Sequence, residues 1–246
     1  MPVSDVTHFL KLQRPWAELQ ACSNFTFLTG GSHPEEYMDR AALLGLSAVA
    51  VADENSVAGI VRAHTRAREI ARLVAERLTF DRTTGLIGPP APLGLKRSPS
   101  AQIYNVPRLL PAAKIILRDG FTATLLPKNR IGWGRLCRLI SCGRLRVKKG
   151  TCDIGLEDLL KFGGDQLILL HMPPTLKGQT GVTTWQSQVR SLTCRFPQDV
   201  MLLLAPRYDG QDMQHFADIS LVGQKLSVPL VASAAPVSYT HLRAHE

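Results

Sequence analysis

The chain has 246 residues, 45% of them hydrophobic, enough to bury one substantial core, and 29 Lys and Arg against 20 Asp and Glu give a formal charge of +9. That balance favours polyanionic partners, nucleic acid first and an anionic membrane surface second, while no apolar run approaches the ~20 residues needed to cross a bilayer, which excludes a transmembrane protein. Five cysteines, an odd number at irregular spacing, and a start without an apolar signal core read as a reduced, cytoplasmic protein whose thiols are free and buried or half-buried.

Residues 1–15 form an N-terminal extension. Residues 17–22 alternate Glu18, Gln20 and Cys22 with Ala17, Leu19 and Ala21, a strand whose two faces differ in chemistry. Ser32 opens a Ser-x-x-Glu capping box with Glu35, and Pro34 sits in the first turn, so a helix runs to about Leu44 and stops at Gly45. Residues 47–52 are small, apolar and valine-rich, as a buried parallel strand should be, with Asp53-Glu54-Asn55 at its carboxyl end. Val57, Ile60, Val61, Ile70, Ala71 and Val74 then recur at helical spacing with arginines opposite.

From 81 to 112 proline and glycine are too dense for helix or ladder, which predicts an extended surface insertion, with 103–110 able to pack as an ordered patch. Residues 114–117 and 122–126 flank Asp119-Gly120 and read as a β-hairpin. Residues 134–145 read as a helix, and 156–162 as a short one introduced by Asp153. Core strands follow at 166–171 and 201–205, then a helix over 212–226 and a strand over 229–233. Strands alternating with helices indicate an α/β fold with a largely parallel sheet.

The order of motifs carries a family resemblance. ELQACSNFTFLTGGSHPEE followed by VAVADENSVAGIVRAH resembles the opening of the PHP (polymerase and histidinol phosphatase) domain of bacterial family C DNA polymerases, in wording most like the error-prone, translesion type. YNVPRLLPAAKIILRDGFTATLLPKNR, GWGRLCRLISCGRLRVKKGTCDIGLEDLL and APRYDG are similar to later segments of that family, so the resemblance covers residues 16–236. It implies a distorted seven-stranded (β/α) barrel of the PHP type, incomplete at its C-terminus. Residues 237–246, by contrast, resemble translated sequencing-adaptor read-through. They are read as a non-native tail, and the i, i+4 spacing of His241 and His245 is given no metal role.

Metal-dependent phosphoesterases need several His, Asp and Glu at strand ends to hold two or three cations. Where active PHP domains carry an H-x-H pair on the first strand, the resemblance places Gln20 and Cys22. Asp53 and Glu54 match the second strand's ligand pair, although two adjacent carboxylates on one loop are more often those of a solvated turn or helix N-terminus. Ala234-Ala235-Pro236 stands where an Asp and a His would be. His171, at a strand end, is the remaining isolated candidate; His64 matches a motif position that is not a usual ligand. Asp53, Glu54 and His171 are therefore remnant metal candidates, and no catalytic residue is assigned.

Between Asp119 and Asp153 there is no acidic residue, and Arg135, Arg138, Arg144, Arg146, Lys148 and Lys149 could form one stripe along a phosphate backbone, with Trp133 stacking on a base or packing in the core. The bland alternative is a solvated basic face that also contacts another polymerase domain. The resemblance implies a scaffold domain of a damage-tolerant DNA polymerase, inactive as a fragment. The parent would use Mg, bind DNA and deoxynucleotides, and contact its own downstream polymerase domains and other translesion-synthesis proteins. The alternatives are a free-standing metal-dependent PHP phosphoesterase and a non-enzymatic nucleic-acid-binding module.

Overall fold

The computed structural model describes residues 16–84, 106–173 and 178–241. Among them are seven strands, β1 (Ala17–Ala21), β2 (Ala48–Glu54), β3 (Arg108–Ile116), β4 (Thr122–Pro127), β5 (Gln166–Leu170), β6 (Val200–Leu204) and β7 (Leu230–Ala232), joined into one sheet in chain order. The helices are α1 (Pro34–Leu44), α2 (Ile60–Thr84), α3 (Arg130–Leu145), α4 (Leu156–Phe162), α5 (Gly178–Arg195) and α6 (Asp212–Leu226). The strands pair in parallel except at β3–β4 and β4–β5, so the sheet is largely parallel with one reversed strand. It curls into a half-barrel with helices outside.

Side-chain parity decides what each face carries. On β2, Val49 and Val51 pack outward with Tyr37, Met38 and Ala41 of α1 and Ile60, Ala63 and Ile70 of α2. Ala50 and Ala52 point the other way, into a lining shared with Ala112, Leu126, Leu169 and Leu203. A third cluster joins Ile115, Leu125, Ile168 and Leu202 to Leu136, Leu139 and Val189 on the covering helices. Trp133 is half-buried against both helix-side clusters, which places it in the packing.

The described ends of the sheet meet without a ladder. Glu18, fully buried, accepts from the Ala234 N–H at 3.0 Å and from the Ser233 hydroxyl, and the Cys22 N–H donates to the Pro236 carbonyl at 2.9 Å. The Tyr37 hydroxyl donates to the same Pro236 carbonyl at 3.2 Å and to that of Cys22 at 2.8 Å. Residues 237–241 continue alongside: the Gly31 N–H donates to the Val237 carbonyl at 2.7 Å, and Tyr239–His241 form a 3-10 turn. His245 lies outside the described residues.

Several boundaries differ from the sequence reading. α1 is capped one residue later, at His33, whose N–H donates to Glu36 Oε2 at 2.7 Å; Ser32 Oγ instead accepts from the Tyr239 N–H at 2.9 Å. Gly45 does end the helix, with φ 70°. β2 extends through Asp53 and Glu54, so these are strand residues. Val61 is 71% exposed and His64 is exposed, leaving Ile60, Ala63 and Ile70 as the buried stripe.

The predicted insertion contracts to its middle, since α2 reaches Thr84 and β3 begins at Arg108; residues 85–105 lie outside the described ones. Pro111 sits in β3 opposite Val51, but the β4 partnership starts only at Ala113, so its missing N–H costs no rung there. α3 begins at Arg130 because Asn129 caps it, accepting from the Gly132 N–H at 2.9 Å. At α4 the cap is Gly155, and Asp153 pairs with Arg118 at 2.8 Å. α5 has no counterpart in the sequence reading. All five cysteines are free, and Cys194 is exposed.

Candidate functional site

The inward parity that gives the lining its alanines and leucines changes chemistry at the mouth. Glu54, Lys114 and Thr124 fall in register across β2, β3 and β4, and Lys114 Nζ donates to Glu54 Oε1 at 2.8 Å. The Thr124 hydroxyl donates to Gln20 Oε1 at 2.9 Å, and its oxygen lies 2.9 Å from His171 Nε2. A hydroxyl has one proton, so if it serves Gln20 the histidine must donate, which fixes the Nε2–H tautomer. Desolvation by burial, then the Lys114 charge, push the His171 pKa down to about 3. The residue is half-buried, and with its pKa lowered the neutral form is the one held near neutral pH.

Asp53 is elsewhere. Adjacent strand residues face opposite sides, so Asp53 follows Val49 and Val51 toward the helices while Glu54 faces the mouth. Its buried carboxylate accepts from the Ser23 N–H at 2.8 Å, the Ser23 hydroxyl at 2.8 and 2.9 Å, and the Thr26 hydroxyl at 2.9 Å. Thr26 Oγ1 in turn accepts from the Glu54 N–H at 3.0 Å. Burial raises the Asp53 pKa, and the hydrogen bonds from Ser23 and Thr26 oppose that shift. The carboxylate thereby anchors the loop after β1. Gly59 makes room for it: a Cβ there would come within 2.8 Å of Asp53 Oδ2.

No family model matches the chain. Among curated proteins, it is 38% identical over 226 residues to an error-prone DNA polymerase of Ruegeria pomeroyi, a match that covers 88% of this chain and 19% of that protein. An error-prone DNA polymerase of Sinorhizobium medicae is 34% identical over 217 residues, covering 88% of this chain and 16% of the relative. The chain is homologous to a part of the error-prone DNA polymerases. The chain spans a fifth or less of the length of the relatives it matches. Solved structures support the PHP-type fold: a proposed metal-dependent phosphoesterase from Bifidobacterium adolescentis superposes with a TM-score of 0.53 at 11% identity, covering 95% of this chain and 90% of that one. An amidohydrolase from Chromobacterium violaceum gives 0.56 at 12% identity, covering 93% and 90%.

In this error-prone polymerase homologue the mouth does not fit a multinuclear metal centre. Gln20 is a neutral amide engaged by Thr124, Glu54 is paired with a lysine whose charge opposes a cation, and Asp53 faces the helices with its oxygens engaged. Among the described residues no three His, Cys, Asp or Glu side chains converge as a ligand set. Lys114 and Thr124 were not singled out in the sequence. The Asp119-Gly120 turn was the available signal, because a hairpin centred there places Lys114 opposite Thr124.

The basic stretch of the homologue is split by the structure. Arg135 pairs with Asp165, Arg144 donates to the Asn55 carbonyl at 2.8 and 3.2 Å, and Arg146 grips the buried Asp158, with Nη2 to Oδ1 at 2.7 Å. That grip holds the Asp158 carboxyl below the usual range and raises the Arg146 pKa. Arg138, Lys148 and Lys149 are exposed. Three of the six contact candidates thus make contacts within the fold, although Arg144 and Arg146 are exposed as well, and the other three are exposed without such a contact among the described residues.

Proposed function

We propose that the chain is the PHP domain of an error-prone DNA polymerase and acts as a scaffold for the rest of that polypeptide during damage-tolerant DNA synthesis. The match of 88% of the chain to polymerases of which it spans 19% carries this reading. Nucleotidyl transfer, with Mg2+ as cofactor and DNA and deoxynucleotides as substrates, belongs to the parent's remaining length. Its setting is the cytoplasm, with other translesion-synthesis proteins as partners. The mouth supports a non-catalytic role: its polar groups are spent on one another, and a neutral histidine stands beside a lysine–glutamate pair.

The test is an assay of the purified chain for phosphate or nucleotide release with Mg2+ or Mn2+. No metal-dependent turnover is expected. Turnover that Glu54→Gln and His171→Gln abolish would make the chain a phosphoesterase in its own right and overturn the scaffold reading.

A further inference from the structure

The loop between β1 and α1 combines a rigid base with an apolar surface. Asp53 pins Ser23 and Thr26 from below, and the backbone closes on itself: the Asn24 N–H donates to the Ser32 carbonyl at 2.8 Å, and the Gly30 N–H to that of Thr26 at 3.0 Å. At Gly30 a Cβ would meet the Ser23 carbonyl oxygen at 1.9 Å, so the return of the loop requires glycine. What the base holds outward is Phe25 at 40% exposure, Phe27 at 85% and Leu28 at 92%. Leu28 also has φ 65°, a left-handed conformation that costs a leucine of order 1 kcal/mol and persists where surrounding structure enforces it. Three large apolar side chains within four residues of a fixed loop offer a preorganised contact surface.

We infer that Phe25, Phe27 and Leu28 dock the PHP domain onto an apolar surface of the downstream part of its own polypeptide, an inference that rests on the polymerase reading above. Two observations select that occupant. The chain spans 19% of its polymerase relative, so most of such a parent lies outside the matched part. Its path out of the sheet also passes the loop's root, where the Pro236 carbonyl accepts from the Cys22 N–H at 2.9 Å. A polypeptide continuing from there is tethered beside the loop, and short tethers raise effective concentration to the millimolar range, about enough to hold a small apolar contact closed. The pinned loop loses little freedom on docking.

Hydroxyl-radical footprinting compares the isolated chain with the full-length parent read from its genomic frame. Labelling at Phe27 and Leu28 should fall about fivefold in the parent, the drop expected when largely exposed side chains reach interface-core burial, with a smaller fall at the 40% exposed Phe25. The double variant Phe27→Ser/Leu28→Asn, in which Asn tolerates the positive φ, should lower the parent's unfolding midpoint and leave that of the isolated chain unchanged. Equal labelling in both proteins overturns the docking surface while leaving the polymerase reading intact. A frame that ends without polymerase sequence removes the reading and the inference together. Concentration-dependent dimerisation of the isolated chain, lost in the double variant, would assign the surface to a second copy and also overturn the inference.

Discussion

Asp53 and His171, both expected as remnant metal candidates, are engaged by neighbouring side chains of the fold. Asp53 accepts hydrogen bonds from the Ser23 N–H and from the Ser23 and Thr26 hydroxyls. Removing it strands those donors in the interior, so Asp53→Ala should cost roughly 2–4 kcal/mol, and Asp53→Asn, which keeps one acceptor oxygen, clearly less. Urea denaturation of the two variants checks the order; equal losses would mean that the carboxylate is not the loop's anchor. His171 makes a prediction about pH. Its folded pKa is depressed from 6.5 to about 3, so the unfolded chain binds the proton first. The stability held above pH 6.5 is therefore lost as pH falls toward 3, at up to about 1.4 kcal/mol per pH unit, less whatever solvent screens at the half-buried ring. His171→Gln, which retains an N–H for Thr124, should flatten the stability profile between pH 6 and 4. Parallel profiles for the two proteins would reject the assignment.

At the scale of elements, β1 and the segment after β7 are joined by a side chain where the described strands form no ladder. Glu18 accepts from the Gln20 N–H at 2.8 Å, the Ala234 N–H at 3.0 Å and the Ser233 hydroxyl. Glu18→Ala should destabilise by about 2–4 kcal/mol through those unpaired groups. It should speed amide exchange at Gln20 and Ala234 and leave the β3–β4 hairpin protected; uniform acceleration would mean that Glu18 stabilises the sheet without acting as a seam. Its inward role was not legible, because in sequence Glu18 is one polar position of an alternating strand, and only the return of Ser233 and Ala234 gives it partners. The hairpin was legible, since Asp119-Gly120 has a turn chemistry that fixes register; so was the end of α1, since Gly45 adopts φ 70°. The start of β3 was hidden by Pro111, a strand breaker unless its N–H side is unpaired, as it is here. α5 went unread although Trp185, Val189, Leu192 and Phe196 recur at helical spacing and are all buried. Asp53 and Glu54, read as a pair, were separated by the extension of β2, which sends neighbours to opposite faces.

For the whole molecule, the charge of +9 is the property the fold leaves for association. Part of it is engaged within the fold. Arg135, Arg144 and Arg146 serve Asp165, Asn55 and Asp158, so neutralising Arg135 or Arg146 should show first as a lower unfolding midpoint. With Arg146 absent, the buried Asp158 loses the partner that lowers its pKa. The stability that this carboxylate contributes above its ordinary pKa, and loses as pH falls below it, should shrink accordingly. Arg138, Lys148 and Lys149 are exposed and, unlike the other three candidates, make no side-chain contact that braces the fold among the described residues, and each neutralised phosphate contact releases condensed counterions. If the exposed face touches DNA, the triple variant Arg138→Gln/Lys148→Gln/Lys149→Gln should reduce the slope of log affinity against log salt by about 2 to 3, with folding unchanged. Fluorescence anisotropy with a labelled oligonucleotide across a salt series makes the measurement. A slope unaltered by the triple variant would place any DNA contact on another face and leave this basic stretch as a structural brace.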